Sequence, residues 1–208
     1  TFNLYCLILN LTERLVNKIE YLMMKKRILD IATSEFAILG YSALSMNNLA
    51  KKLEINKATI YYHFKDKKSL YNEVILSLIQ LNKDEREAIA NSTLEPKEKF
   101  KRYIKSLINT MGDNPNIIPL TLREMAGFDI GIESNISNNI ENDIICMKKI
   151  VLELNLKEKY KNTDFYQIKA MILGTIFTYY SMQKTPLELK NIKNLDKDNK
   201  KILNYIEE

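Results

Sequence analysis

The chain has 208 residues, room for one or two domains. Its five Gly and four Pro are about a third of the usual share, which excludes most strand-rich sandwiches, collagen-like repeats and flexible linker proteins. The net charge is +5, and residues 23–78 alone hold nine Lys/Arg against five Asp/Glu, a concentration that suggests a polyanion partner or a solvated basic face.

Residues 1–22 read in two ways. They are an extension lying upstream of a start at Met23 or Met24, or an additional amphipathic helix with Leu11, Leu15, Ile19 and Leu22 on one face. The stretch lacks the basic lead and the small-residue cleavage site of a signal peptide.

From Lys25 the apolar positions Ile28, Ile31, Ala32, Phe36 and Leu39 recur at helical spacing, and Gly40 supplies a stop. Ser45 opens a short helix carrying Met46, Leu49, Ala50 and Leu53. After the turn Glu54 to Asn56, Asn56 caps a second short segment, KATIYYHF. Asp66 caps a longer helix with Leu70, Val74, Leu78 and Leu81 inward, expected to run on across residue 80. Two short helices joined by a tight turn form a helix-turn-helix.

The pattern beyond residue 83 stays helical. One helix follows Pro96 and is ended by Gly112, and Pro115 and Pro119 bracket a break before LTLREMAG. A long helix carries Ile136, Ile140, Ile144, Met147, Val151 and Leu154 in line. Asp164 opens another, FYQIKAMILGTIFTYYSM, and a short terminal helix is expected after Asn194. The fold class is all-α: a three-helix, helix-turn-helix head followed by a larger helical C-terminal domain.

The segment Leu44 to Tyr71 carries the chemistry. A major groove admits one helix, and KATIYYHF offers it Lys57, Thr59, Tyr62 and His63, with Ile60 and Phe64 turned inward. Ala58 permits close approach to the sugar-phosphate backbone. Ser45, Tyr61, Lys65, Lys67 and Lys68 flank the groove, and the helix starts at Ser45 and Lys67 aim N–H groups outward as anion-binding devices.

An enzyme reading finds little support. The one His, His63, lies on the recognition segment with no triad partners, and no Gly-rich phosphate loop occurs. Cys6 and Cys146 make neither a disulfide framework nor a zinc pattern, so no metal or cofactor is expected and reduced thiols in a cytoplasm are the default. No apolar run has the length of a membrane span.

The stretch Ile28 to Tyr71 resembles the DNA-binding head of the tetracycline-repressor (TetR) family of bacterial regulators. The matching residues are Phe36, Gly40, Tyr41, Ser45, Met46, Leu49, Ala50, Ile55, Lys57, Thr59, Ile60, Tyr61, Phe64, Lys67 and Leu70. Departures are Leu44 for Thr, Glu54 for Gly, Asn56 for Ser and Ala58 for Gly. Asn56 keeps the cap, while Glu54 alters the turn and brings a negative charge near DNA.

The expected organisation is 1–22 as an extension, upstream of the true start on one of its two readings, 23–79 as the DNA-binding domain, and 80–208 as a helical domain to which the resemblance gives effector binding and dimerisation. The DNA-binding set is Ser45, Met46, Lys57, Ala58, Thr59, Tyr61, Tyr62, His63 and Lys67. The implied partners are double-stranded DNA with a palindromic operator, a second copy of the chain, and an apolar or amphipathic small-molecule effector; no membrane is expected. Ile168, Ile172, Gly174, Thr175 and Ile176 are the expected homodimer contacts, although the same stripe also fits one chain's core. Met111, Arg123, Met125, Phe128, Met147, Phe177 and Tyr180 are the expected effector contacts; Met and aromatic residues also serve as plain core. The function implied is a ligand-responsive repressor. The alternative is an effector-independent architectural or division-linked DNA-binding factor, which a fully packed C-terminal domain would favour.

Overall fold

A computed structural model describes residues 2–127, 134–154 and 163–184. Among the described residues it is built of nine helices and no strand. They are α1 (Phe2–Ala43), α2 (Met46–Leu53), α3 (Lys57–His63), α4 (Lys67–Ile79), α5 (Lys83–Asn91), α6 (Pro96–Asp113), α7 (Ile117–Met125), α8 (Ser134–Glu153) and α9 (Phe165–Lys184). The expected helix after Asn194 and the side chain of Phe128 lie outside the described residues.

The head is α1 to α4 around one core. Ile28, Ala32 and Phe36 recur every four residues on α1, so they share a face, and all three are fully buried against Leu49, Leu53, Ile60, Phe64, Leu70 and Val74. The Phe36 ring meets the Tyr71 ring edge-on at 4.9 Å, and Tyr41 joins the cluster at 5.3 Å from Tyr71. Each such side chain contributes about 1.5–3 kcal/mol on burial. At Gly40 the backbone leaves helical geometry with φ 79°. A Cβ there would also lie 2.7 Å from an Arg123 guanidinium nitrogen, so both conformation and space call for Gly.

Contrary to the sequence expectation, α4 does not cross residue 80: it stops at Ile79. The Arg86 guanidinium explains this. It donates to the carbonyls of Leu81 at 2.9 Å and Ile79 at 3.5 Å, taking up groups that a continuing helix would have used. Asn82 then turns the chain with φ 54°, a left-handed conformation that Asn tolerates. Pro119 also differs from expectation. It lies inside the first turn of α7, where a missing N–H breaks no intrahelical bond. Gly112 likewise lies inside α6.

A second core joins α5, α6, α8 and α9 through Ala90, Tyr103, Ile104, Leu107, Met111, Met147, Ile150, Val151, Ile176 and Phe177. The buried Arg86 donates to Asp143 at 2.7 Å, and the Tyr103 hydroxyl donates to the Asp143 carboxylate at 3.2 Å. Burial first, and the Asp143 charge second, raise the Tyr103 hydroxyl far above its ordinary range, so it acts only as a neutral donor. Lys99 ties α6 to Glu153 on α8 at 2.7 Å.

Within this chain, the α9 stripe named as the expected dimer contact packs in part on the second core. Ile176 is buried, and Ile168, Ile172 and Tyr180 pack on the same chain's second core. Their four-residue spacing is that of an apolar face, and within this chain that face joins the second core. Gly174 and Thr175 stay exposed, and a Cβ at Gly174 would meet nothing within 4 Å.

Candidate nucleic-acid interface and effector cavity

The recognition segment α3 is only seven residues long, and its ends are set locally. The Asn56 side chain accepts from the Ala58 N–H at 2.9 Å and so caps the first turn. Ile60 and Phe64 are buried, which turns the opposite side to solvent. Lys57, Ala58, Tyr61 and Tyr62 are exposed there, Tyr62 at 74%. The Lys57 ammonium sits 5.6 Å from the Tyr61 ring, one helical turn away, which steadies a charge pointed outward. Thr59 is half-buried at the edge of this face.

Among the expected DNA contacts, Met46 is turned away from the groove, and Ser45, Lys67 and His63 each have surroundings set by the head. Met46 is buried in the head core, because it shares the apolar face of α2 with Leu49, Ala50 and Leu53; its side chain does not face the groove. Ser45 occupies the N-cap position of α2, yet its hydroxyl makes no capping bond. Lys67 leans back over the Tyr41 ring at 4.5 Å and donates to the Ser42 carbonyl at 3.4 Å. His63 is half-buried with its ring 4.4 Å from the Tyr21 ring of α1. Burial, then the Lys25 charge, lower its pKa below the ordinary 6.5.

Asp66 starts α4 with a reciprocal cap: its carboxylate accepts from the Ser69 N–H at 2.7 Å, and Ser69 returns a bond to the Asp66 N–H. The Ser69 N–H bond is the chief reason that the Asp66 carboxyl stays below its usual range.

Sequence reasoning missed Tyr21 and Lys25. Tyr21 touches both Tyr62, at 5.7 Å between rings, and His63. Lys25 pairs with Glu73 at 2.7 Å and lies 5.4 Å from the Phe64 ring. The signal was present: Tyr21, Lys25, Ile28 and Ala32 share one helical face, so the stripe that builds the core continues up to the recognition segment.

The second feature is a cavity of about 940 Å³ beneath the head, mostly apolar. That is within the ~300–1,000 Å³ typical of ligand pockets. Of the expected effector contacts, Met111, Met147 and Phe177 line it as buried residues, and Met125 lines it while 72% exposed. Arg123 and Tyr180 do not. The Arg123 guanidinium reaches into the head to the Ile38 carbonyl at 3.4 Å, and the Tyr180 hydroxyl donates to the Ile108 carbonyl at 3.0 Å. Gly174 lines the cavity, which was not expected.

One helix, α7, borders both features. Leu120 lines the cavity and is also buried in the head core. Glu124 lines the cavity and accepts a hydrogen bond from the hydroxyl of Tyr71, a head residue. On the other side of α7, Arg123 packs against Gly40. Among the described residues, no helix is long and apolar enough to cross a membrane.

Residues 28–74 match the family described as "Bacterial regulatory proteins, tetR family". Over 180 residues the chain is 27% identical to the uncharacterised HTH-type transcriptional regulator YhgD of Bacillus subtilis (strain 168), covering 82% of this chain and 91% of that protein. Over 52 residues it is 40% identical to IcaR of Staphylococcus aureus (strain Newman), the negative transcriptional regulator of the icaADBC biofilm operon; that match covers 25% of this chain and 28% of IcaR. Its fold is similar to that of the Bacillus subtilis transcriptional regulator FadR, solved in complex with stearoyl-CoA, with a TM-score of 0.61, 21% identity, and 81% and 93% of the two chains covered. Residues 28–74, with the capped recognition helix and solvent-facing Lys57 and Tyr62, thus form a helix-turn-helix segment similar to that of the tetR-family regulators.

Proposed function

We propose that the chain is a cytoplasmic, homodimeric repressor that leaves a palindromic operator when a small amphipathic molecule occupies the cavity. The observation that carries this reading is the double role of α7, whose Leu120 and Glu124 belong at once to the cavity wall and to the packing of the head. A molecule that moves α7 therefore acts on the position of the head. It shifts the equilibrium only by its difference in affinity for the two arrangements. The cavity also favours a sensor over an effector-independent factor, whose C-terminal domain needs no such space.

Two heads would enter successive major grooves about 34–36 Å apart. Lys57, Lys65 and Lys68 would meet phosphates, and Tyr62, Lys57 and Thr59 would supply base contacts. The exposed face of α9, with Met171, Gly174, Thr175 and Met182, supports a contact with a second copy. Exposed Ile145 and Leu152 on α8 support the same role.

Fluorescence anisotropy with duplex DNA from upstream of the protein's own gene, against a scrambled duplex, tests the reading. Between about 50 and 200 mM salt, a protein making 6–10 phosphate contacts loses about 10³–10⁵ in affinity. Preference for the native duplex with that salt dependence is expected, and sedimentation should give a dimer. Absence of DNA binding at the lower salt would reject the reading.

A further inference from the structure

We infer that the cavity takes an elongated apolar chain ending in an anionic head group, and that Lys169 is the residue that receives the head group. This rests on the reading of the cavity as the effector site. Four charged side chains line it: Arg86, Glu124, Asp143 and Lys169. Three are already engaged. Arg86 and Asp143 bond each other, Arg86 also holds two carbonyls of the α4–α5 turn, and Glu124 accepts from the Tyr71 hydroxyl. Lys169 makes no hydrogen bond or ion pair among the described residues.

Most of the rest of the wall is apolar, with Thr110, Thr121, Tyr166, Thr178 and Ser181 set among it. Met111, Leu120, Ile144, Met147, Leu173 and Phe177 give it long stretches with nothing for a polar ligand to bond. Along those stretches a polar group would lose its hydration without replacement. A methylene chain loses nothing and gains with each carbon buried. A head group that is merely polar would leave the Lys169 ammonium as it is, half-buried and with its charged form disfavoured by desolvation. An anion removes that penalty and forms a charge-assisted hydrogen bond. Asp143 faces the same ammonium, but its carboxylate is already shared between Arg86 and the Tyr103 hydroxyl. The flexible Met111 and Met147 let the apolar wall adapt to a chain of variable bend.

Isothermal titration of the full chain with dodecanoate, dodecanol, dodecyltrimethylammonium and dodecanoyl-CoA, all below micelle formation, tests this. Dodecanoate or its CoA thioester should bind about tenfold or more tighter than dodecanol, the range of a hydrogen bond to a charged partner. Lys169→Gln should abolish that advantage and leave dodecanol binding unchanged, while Lys169→Arg should retain it. Shortening the chain by two carbons should weaken binding about 15-fold, at about fourfold per methylene. Tighter binding of the free acid identifies a carboxylate as the head group, and tighter binding of the thioester identifies the phosphate-bearing carrier. Equal binding of acid and alcohol would overturn the role of Lys169 but leave the cavity an effector site. Preference for the ammonium would overturn it in favour of Glu124. No binding by any of the four would overturn both this inference and the effector reading.

Discussion

Glu54 ends α2 in a left-handed conformation, φ 56° and ψ 40°, with its N–H bonded to the Lys51 carbonyl at 3.1 Å. A side chain held there costs about 1–2 kcal/mol that Gly does not pay. Gly in turn adds about 0.4–1 kcal/mol of freedom to the unfolded chain. Glu54→Gly should therefore stabilise the protein by about 0.5–1 kcal/mol, which raises Tm by about 1–4 °C for a chain of this size. The same change removes an exposed negative charge from the turn that leads into the recognition helix. Affinity for any duplex should rise by up to about fivefold at low salt, the scale of one exposed charge interaction, and the gain should fade as salt screens it. Glu54→Gln separates the two effects, since it removes the charge and keeps the backbone strain. Thermal denaturation and anisotropy on the three proteins decide the matter. A Tm for Glu54→Gly at or below that of the parent would refute the strain argument, and an unchanged affinity in both variants would place Glu54 away from the DNA.

Asn72 is buried and its side chain makes no hydrogen bond among the described residues; Asn72→Leu should raise stability by about 1–3 kcal/mol, read from urea midpoints, because it removes an unpaid desolvation. The depressed pKa of His63 means that below about pH 6.5 the unfolded chain takes up a proton that the folded chain refuses, so stability falls as pH drops toward the lowered value. His63→Gln should flatten that part of the pH profile, and an unaltered slope would show that the ring is not what titrates. Tyr62→Ala should reduce discrimination between operator and scrambled duplex more than it reduces non-specific affinity; equal losses would count against base contact. Thr175 is exposed on α9 and does not line the cavity, so Thr175→Arg should leave Tm within about 1 °C of the parent while weakening self-association in sedimentation, and an intact dimer would exclude that face.

The head was legible because its determinants are local. Asn56 and Asp66 cap within three residues of themselves, and Ile28, Ala32, Phe36, Ile60 and Phe64 fall at helical spacing. What the sequence hid depends on distant partners. Met46 at a helix start reads as easily outward as inward, and only the packing of α2 decides. Nothing near His63 announces Tyr21, and nothing near Ile79 announces the guanidinium that ends its helix. The α9 stripe showed that one face is apolar but not which neighbour covers it. The cavity is harder still, since empty space has no residue of its own. Soft side chains such as Met111 and Phe177 hinted at its wall, whereas Lys169 reads in sequence as any lysine on a helix.

Leu120 and Glu124 stand in two structures at once, and thermodynamics makes that arrangement symmetrical. Whatever factor a bound molecule takes from the affinity for DNA, DNA takes from the affinity for the molecule. At a usual coupling of about 1–3 kcal/mol that factor is about 5–150-fold. On the proposed function, an affinity measured on the free protein thus overstates the sensitivity of the protein on its operator. The dose that releases a gene is then written partly in the DNA: two operators of unequal strength, served by one regulator, open at different concentrations of the same compound.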